Sequence, residues 1–352
     1  PYSIVYLNIS ESYCAWYYSF KKMSETKYVS SWYNLHSKVP ESYVQPLDRR
    51  PCNAVMSTNK TIPVIDLAGN DRDEIVKKII KSSEEYGFFQ VVNHGVAKEL
   101  VDETLRIFKE FHALPADVKE SESSKDPNKS CKLYTSSGRN VADVAKYWKD
   151  SLKHPCPPSG EFTQYWPQKP QGYRETVGKY TQELRALGLR ILGLISEGLG
   201  LSSDYFSGDL SENPIILSHH YPPCPEPGLT LGASKHKDPN TLTILFQEPN
   251  ITALHVMKDG AWIPVEPIPD AFVINMGFML QIITNGRLIG AEHRVVTNSS
   301  PSRHTIAYFI NPSKEAIIGP AKEVTSSTSP PIYPSMPFGE LLEKFMNNGP
   351  YF

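Results

Sequence analysis

Two histidines and an aspartate in the second half of the chain have the residue types of an iron site. His236 and Asp238 are separated by one residue, and His293 stands alone further along the chain. Neutral imidazole and carboxylate suit Fe(II), and three protein ligands on one face of the ion leave positions open for a chelating co-substrate and O₂. The pattern therefore predicts an oxygen-activating iron centre with these three residues as metal ligands.

The local sequence indicates how these side chains meet. In an extended strand, residues two apart point to the same side, so His236 and Asp238 can bind one ion while Lys237 faces away. An apolar strand is expected soon after them at 242–246, and His293 must come from a different strand. An HxD tripeptide or a lone histidine is by itself more often structural. The combination is what predicts a metal site.

An arginine downstream of His293 has the chemistry to hold an acid. Arg303 directly precedes another apolar run, at 306–310. A guanidinium is planar and can bind a carboxylate through two charge-assisted hydrogen bonds. The alternative is a surface arginine in a salt bridge, which would not explain its position between His293 and an apolar strand.

Several motifs of this chain resemble those of the plant-type Fe(II)- and 2-oxoglutarate-dependent dioxygenases. The resemblance covers nearly everything from about residue 62 to residue 337. Six motifs carry it: IPVIDL (62–67), YGFFQVVNHGV (86–96), YPPCP (221–225), NMG (275–277), TNG (284–286) and EHRV (292–295). The segments 147–154 and 267–273 are most similar to the hyoscyamine 6-hydroxylase group of that family.

This resemblance implies a set of cofactors and the residues that hold them. The three metal ligands would bind Fe(II), and Arg303 would bind the distal carboxylate of 2-oxoglutarate. Tyr221 and Thr305 would complete the 2-oxoglutarate site with hydroxyl groups. O₂ is the second co-substrate, and ascorbate is the expected reductant.

The chain departs from the family pattern at two positions that are expected to contact the co-substrate. Thr305 replaces the serine of Arg-x-Ser, which keeps the hydroxyl but adds a methyl group that stiffens the side chain. His219 replaces the asparagine that usually stands two residues before Tyr221, so one polar contact differs here. The adjacent His219 and His220 also suggest another metal site. Alternation along a strand would turn them to opposite faces, which argues against that site.

Substrate contacts are predicted from matching family positions. They are Tyr134, Leu217, Phe278, Phe309 and Asn311. Aromatic residues at such places are more often plain core. Lipophilic walls with few charges would suit a plant specialised metabolite such as an alkaloid, phenylpropanoid or terpenoid. The tripeptide at 148–150 offers either a charged contact to an amine or a solvated salt bridge.

The reaction type follows from the retained carboxylate. Halogenating members of the wider superfamily replace this aspartate with a small residue, whereas Asp238 is present here. Hydroxylation is expected, with epoxidation and desaturation left open, and with release of succinate and CO₂. The alternatives are an ascorbate-requiring oxidase of the same fold that uses no 2-oxoglutarate, and a catalytically silent small-molecule-binding protein. A closed structural zinc site fits the ligand set less well.

Composition agrees with a globular enzyme that acts on a small molecule. The chain has 352 residues, 40% of them hydrophobic and 21% charged, with a formal net charge of −2. No basic cluster favours nucleic acid. No run approaches the roughly 18 apolar residues of a membrane span, which argues against a membrane partner. Five scattered cysteines without a CxxC pair suit a reducing compartment, so a cytoplasmic monomer is expected.

The fold class predicted is α+β, mainly β, with a double-stranded β-helix (jelly roll) core and supporting N-terminal helices. Apolar residues at helical spacing predict helices at 72–86, 98–114 and 173–198. Short β-rich runs fill 215–312, and the KDG and TNG triplets at 258–260 and 284–286 predict hairpin turns.

The chain is predicted to divide into three parts. Residues 1–22 are expected to be a non-native or disordered leader outside the fold. Residues 23–170 would form an N-terminal helical and strand region of the dioxygenase. Residues 171–352 would form a helix and the catalytic jelly roll, which makes one compact unit with the rest of 62–337.

Overall fold

A computed structural model of the protein describes residues 28–51, 59–123, 131–136 and 145–349, and the structural statements below concern these residues. The predicted leader at 1–22 lies outside them. Within the described ranges, no helix is both long enough and apolar enough to cross a membrane.

The described residues form six α-helices and fourteen β-strands. The helices are α1 (Arg72–Glu85), α2 (Lys98–Ala113), α3 (Ala116–Ser121), α4 (Tyr173–Leu199), α5 (Phe278–Ile283) and α6 (Phe338–Asn348). The strands are β1 (Val64–Asp66), β2 (Phe88–Val92), β3 (Lys132–Thr135), β4 (Asp150–Pro155), β5 (Ile215–Tyr221), β6 (Leu231–His236), β7 (Leu242–Gln247), β8 (Leu254–Lys258), β9 (Ala261–Pro264), β10 (Phe272–Met276), β11 (His293–Val296), β12 (Arg303–Ile310), β13 (Ile317–Ile318) and β14 (Met336–Pro337).

Two sheets pack face to face and make the predicted jelly roll. The major sheet has eight strands in the order β1-β2-β10-β7-β12-β5-β4-β3, and the minor sheet has four in the order β6-β11-β8-β9. Strands β1 to β4 come from the N-terminal region, yet they belong to the same sheet as β5, β7, β10 and β12. Both halves of the chain therefore build one sheet.

Helices cover the outer face of the major sheet. Ile79 of α1, Phe108 of α2 and Ile191 of α4 are fully buried in one core cluster with Ile306 and Tyr308 of β12. Successive side chains of a strand point to opposite faces. The even-numbered residues of β12 therefore pack under the helices, and its odd-numbered residues face the minor sheet.

The three long helices predicted from apolar spacing are confirmed, with each end within two residues of its predicted position. The side chain of Asp71 caps α1 by accepting a hydrogen bond from the N–H of Glu74 at 3.0 Å. Helix α4 stops at Gly200, whose left-handed conformation (φ +73°) is accessible to glycine without a steric penalty.

One of the two predicted hairpin turns is confirmed, and the other is wrong. Asp259 and Gly260 both have positive φ, as a tight two-residue turn requires, and they join β8 to β9. Asn285 and Gly286 also have positive φ, but they end α5, where the N–H of Gly286 donates to the carbonyl of Gln281. The run that precedes them is apolar except for Gln281, and such a run forms a buried helix as readily as a strand.

Gly277 is the point where the chain leaves β10 for α5. A Cβ atom there would lie 1.8 Å from the carbonyl oxygen of Asn240. We predict that Gly277→Ala lowers the free energy of unfolding by about 1–3 kcal/mol, because the two backbone segments must separate. Urea denaturation monitored by circular dichroism measures this loss.

Gly178 provides the matched control. It lies within α4, and a Cβ atom there would meet no atom within 4 Å. Gly178→Ala should leave the stability unchanged or raise it by up to about 1 kcal/mol, since alanine is the better helix former. Equal stability of the two variants would contradict the steric argument.

Candidate active site

The three predicted metal ligands converge at one end of the space between the sheets. His236 is the last residue of β6, His293 is the first of β11, and the two are directly paired across these strands. The Nε2 atom of each lies 3.7 Å from Oδ1 of Asp238. One ligand atom from each residue lies within 4.8 Å of the other two, which is the geometry of a site for a single ion.

Asp238 reaches the site differently from the prediction. Strand β6 ends at His236, so Asp238 lies in the connection to β7 and not two residues along the same strand. Thr243 and Asn275 donate hydrogen bonds to its Oδ2 at 2.7 and 2.9 Å. The second oxygen, Oδ1, therefore faces the histidines. Thr243 and Asn275 were not predicted as site residues, although Asn275 begins the NMG motif.

The neighbours of Asp238 stabilise its negative charge. Burial raises the pKa of this carboxyl, but the imidazoles of His293 and His236 and the hydrogen bonds from Asn275 and Thr243 outweigh that effect. The net result is a lowered pKa. Asp238 is therefore ionised at neutral pH, as a metal ligand must be.

Backbone carbonyl groups fix the tautomer of both histidines. Nδ1 of His236 lies 2.7 Å from the carbonyl oxygen of Ser234, and Nδ1 of His293 lies 3.2 Å from that of Ala291. A carbonyl oxygen can only accept, so each Nδ1 carries the proton. The lone pair of each Nε2 is then free to bind a metal, an arrangement common among metal-binding histidines.

Arg303 has the environment of an acid-binding residue. Arg303 is the first residue of β12, and it is only 1% exposed. Its Nη2 donates to the neutral amide oxygen of Gln247 at 3.1 Å, while Nε and Nη1 are buried without a hydrogen-bond partner among the described residues. Burial lowers the pKa of Arg303, which is the desolvation cost of this cation. A carboxylate of 2-oxoglutarate fits these unpaired donors.

Tyr221 and Thr305 lie beside Arg303. Tyr221 is its direct partner across β5 and β12, and the guanidinium carbon lies 5.3 Å from the centre of the phenol ring. Burial raises the pKa of Tyr221, and the charge of Arg303 and hydrogen bonds with Thr305 and Arg303 partly offset this. His219 is the partner of Thr305 across the same strands, and its Nδ1 lies 2.8 Å from Oγ of Ser151.

A cavity joins the cluster of His236, Asp238 and His293 to Arg303. Its apolar wall is formed by Phe88, Ala233, Leu245, Leu254, Val295, Ala307 and Phe309. Its polar wall contains Lys149, His219, Tyr221, Thr243, Asn275 and Thr305 in addition to the three-residue cluster and Arg303. The cavity therefore combines a largely apolar wall with a few polar groups, as small-molecule sites do.

The predicted substrate residues divide between this cavity and its surroundings. Phe309 lines the cavity. Leu217 and Tyr134 lie on the face of the major sheet that faces the cavity, but they are not part of the cavity lining. Asn311 is buried just beyond β12, also outside the lining. Phe278 belongs to the core, where its ring centre lies 5.4 Å from that of Phe345, because α5 turns it away from the site.

The adjacent histidines on β5 point to opposite faces, as strand alternation predicts. His219 faces the cavity, whereas His220 stacks on His304 with ring centres 4.5 Å apart and an angle of 1° between the planes. Glu248 accepts hydrogen bonds from the backbone and the ring of His304. Among the described residues, the sole cluster with the geometry of a metal site is that of His236, Asp238 and His293.

Adjacent residues of the tripeptide at 148–150 also point to opposite faces of the sheet. Asp150 is 1% exposed and points away from the cavity, where it accepts hydrogen bonds from the backbone N–H groups of Val29 and Ser30 at 2.9 and 2.8 Å. It is therefore not available to an amine in the cavity, and that part of the charged-contact prediction is wrong. Lys149 lines the cavity, a role that the sequence did not indicate.

A jelly roll that encloses two histidines, an aspartate and an arginine with unpaired buried donors defines a non-haem iron oxygenase that uses a keto acid. Comparison with known families agrees. Residues 212–312 match the 2OG-Fe(II) oxygenase superfamily, and residues 62–171 match the family described as non-haem dioxygenase in morphine synthesis N-terminal. The chain belongs to the 2OG-Fe(II) oxygenase superfamily.

Its relatives are plant enzymes that align along most of their length. Protein DOWNY MILDEW RESISTANCE 6 of Arabidopsis thaliana is 39% identical, with 88% of this chain and 92% of the relative covered. Hyoscyamine 6-dioxygenase of Hyoscyamus niger is also 39% identical, with 91% and 95% covered. The crystal structure of JOX2 in complex with 2OG, Fe and JA superposes with a TM-score of 0.81 at 34% identity and covers 94% of both chains.

These findings confirm the predicted family and fold, and they confirm Fe(II), 2-oxoglutarate and O₂ as the cofactor and co-substrates. The protein is a 2-oxoglutarate- and Fe(II)-dependent dioxygenase of the plant type, and its substrate is a small molecule.

The buried histidine pair behind the site predicts sensitivity to acid. Burial, with the nearby charges of His304 and Lys119, lowers the pKa of His220 to about 3. The unfolded chain binds this proton near the ordinary value of about 6.5, so the stability contribution is complete above that pH and is lost as pH falls towards 3. Below pH 6.5, His220→Gln should reduce the pH dependence of the unfolding free energy by up to about 1.4 kcal/mol per pH unit.

Urea titrations at pH 7, 6 and 5 measure that slope. His36→Gln is the control, because His36 is exposed on the surface. It should leave the slope as in the wild type. A His220→Gln slope equal to that of the wild type would show that His220 takes up its proton as readily in the folded chain as in the unfolded chain.

Proposed function

We propose that His236, Asp238 and His293 bind the Fe(II) of this enzyme, and that Arg303, Thr305 and Tyr221 bind 2-oxoglutarate. The observation that carries this proposal is the pair of buried, unpaired donors of Arg303 in the cavity that contains the three-residue cluster. A buried guanidinium with two unpaired donors is costly, and an anionic ligand would satisfy them.

Each group then has a defined task. Bound Fe(II) and 2-oxoglutarate supply the oxidation of a C–H bond by O₂, with release of succinate and CO₂, and ascorbate keeps the metal reduced. Arg303 orients the co-substrate through its distal carboxylate. Thr243 and Asn275 hold Oδ2 of Asp238, so that Oδ1 keeps its direction. Apolar walls such as Phe88 and Phe309 position the substrate and exclude water.

Hydroxylation is the proposed outcome, with epoxidation or desaturation as related results of the same C–H oxidation. Asp238 is retained, and it occupies the position that a halogenating member would leave open for chloride. The proposed substrate class is a plant specialised metabolite such as an alkaloid, phenylpropanoid or terpenoid. The relatives' own names, which include hyoscyamine 6-dioxygenase and flavanone 3-dioxygenase 2, span different chemistries at similar identity.

We further propose a monomer in the cytoplasm, with residues 23–170 and 171–352 as parts of one catalytic unit. Support for a reducing compartment comes from Cys131, Cys156 and Cys224, which are buried and unpaired. Cys14 and Cys52 lie outside the described residues.

Binding of 2-oxoglutarate tests the role of Arg303 directly. Anaerobic titration of the Fe(II)-loaded protein should give a weak visible charge-transfer band that saturates with 2-oxoglutarate. Arg303→Gln should weaken 2-oxoglutarate binding by about 30-fold or more, since loss of one partner of a buried charge-assisted pair costs about 2–5 kcal/mol or more. Arg287→Gln is the control, because the side chain of Arg287 is exposed, pairs with Glu84 and is not part of the cavity lining. Equal affinity of the two variants would remove Arg303 from the site.

Substitution of the metal ligands tests the iron site. Asp238→Ala and His293→Ala should lose Fe(II) binding and succinate formation, because each removes one of three ligands. Thr305→Ser keeps the hydroxyl group and should retain 2-oxoglutarate affinity within about threefold, as the loss of one methyl group is a small change. Metal content after Fe(II) loading and succinate release measure these effects. Turnover without succinate would instead identify an oxidase that does not use 2-oxoglutarate.

A further inference from the structure

The first turn of α5 binds the connection that contains Asp238. The backbone N–H of Phe278 donates to the carbonyl oxygen of Asp238 at 2.7 Å, and the N–H of Met279 donates to the carbonyl oxygen of Asn240 at 3.1 Å. These N–H groups have no partner within the helix itself, so the connection from β6 to β7 satisfies them. The position of the Asp238 backbone therefore depends on the position of α5.

Gln281 links the same helix to the segment that leads into His293. It is the sole polar residue of α5, and its Oε1 accepts a hydrogen bond from the backbone N–H of Gly290 at 3.0 Å. The next residue, Ala291, provides the carbonyl oxygen that lies 3.2 Å from Nδ1 of His293. Gln281 therefore anchors the backbone one residue before the group that orients the His293 imidazole.

The same oxygen also contacts the residue between His236 and Asp238. Nζ of Lys237 lies 3.5 Å from Oε1 of Gln281 and 6.0 Å from the centre of the Phe278 ring. A backbone N–H and an ammonium group can only donate, so the side-chain oxygen of Gln281, and not its nitrogen, must point towards both of them. One oxygen atom thus joins the two segments that carry the metal-site residues.

The nitrogen of the same amide is bound to the C-terminal segment. Nε2 of Gln281 donates to Oη of Tyr333 at 2.8 Å. The space on the oxygen side is closed as well, because a Cβ atom at Gly290 would lie 3.3 Å from Oε1 of Gln281 and 3.4 Å from Cα of Phe278. The amide is therefore held at both ends, and the turn before β11 lies directly against α5.

We propose that Gln281 is a positioning residue for the iron site, and that its side-chain oxygen sets the separation between the segment of His236 and Asp238 and the segment of His293. This inference rests on the proposed function, because it assumes that these three residues bind Fe(II). Gln281 is not part of the cavity lining, so it acts through the ligands and not on the substrate. Replacing residues that orient metal ligands commonly changes metal affinity by about 10–100-fold.

Three substitutions at Gln281 separate the effect of its oxygen from that of its size. Gln281→Met keeps an unbranched side chain and removes both hydrogen bonds, and Gln281→Asn keeps the amide but shortens it by one methylene group. Each should weaken Fe(II) binding by about tenfold. Gln281→Glu keeps an oxygen for Gly290 and Lys237, so it should bind Fe(II) within about threefold of the wild type. Anaerobic titration with Fe(II) in competition with a chromogenic chelator measures the dissociation constants.

Tyr333→Phe is the matched control. It removes the hydrogen bond at Nε2 of Gln281 and leaves the bond between Oε1 and Gly290 in place. Urea denaturation of the metal-free proteins is the second measurement, because a purely structural role would lower the free energy of unfolding without changing the Fe(II) affinity of the folded protein. Tyr333→Phe should therefore bind Fe(II) as the wild type does, even where it loses stability.

The outcomes separate this proposal from the one on which it rests. The role of Gln281 is overturned if Gln281→Met and Gln281→Asn weaken Fe(II) binding no more than Tyr333→Phe does, or if Gln281→Glu binds Fe(II) as weakly as they do. If Gln281→Met does not fold, the asparagine and glutamate variants decide the question. If the wild type binds no Fe(II), or if His293→Ala binds it as tightly as the wild type, the proposed iron site fails first, and the role of Gln281 fails with it.

Discussion

The alternation of side chains along the strands of the major sheet is the constraint on which the site depends. One face of this sheet is covered by α1, α2 and α4, and the other faces the minor sheet across the cavity. On β12, Arg303 and Thr305 therefore face the cavity, while His304 between them stacks on His220 behind it. A shift of register by one residue would exchange the two sets and place the residues proposed to bind 2-oxoglutarate under the helices. Burial of the apolar face against the helices thus determines which side chains face the cavity.

The enzyme keeps several charged or polar groups away from water in the same cavity. Asp238 is stabilised by two hydrogen bonds and two imidazoles, so its charge is tolerated before a metal binds. Arg303 is less well satisfied, with two donors unpaired. Removing such groups from water costs free energy that hydrogen bonding to a ligand can return. The incomplete pairing of Arg303 is therefore consistent with a residue selected for binding at some cost in stability.

The N-terminal region contributes Phe88 and Lys149 to the cavity wall, whereas the cluster of His236, Asp238 and His293 lies in the second half of the chain. Trp148 packs against Trp32 and Tyr43 with ring centres 5.3 and 5.5 Å away, and Asp150 caps the backbone at Val29. These contacts tie the first described segment to β4, and thereby to the neighbouring strand β5 that contains His219 and Tyr221.

The sequence by itself determined which residue types form the site, because imidazole, carboxylate and guanidinium groups have few roles in such a pattern. It also determined the long helices and the opposite directions of His219 and His220, since these follow from local periodicity. Only the tertiary structure decided that Asp238 lies beyond the strand, that Phe278 joins the core, and that Lys149 enters the cavity. Those outcomes depend on contacts between segments far apart in the chain, such as Asp238 with Asn275 and Phe278 with Phe345. Local sequence patterns contain no information about such packing.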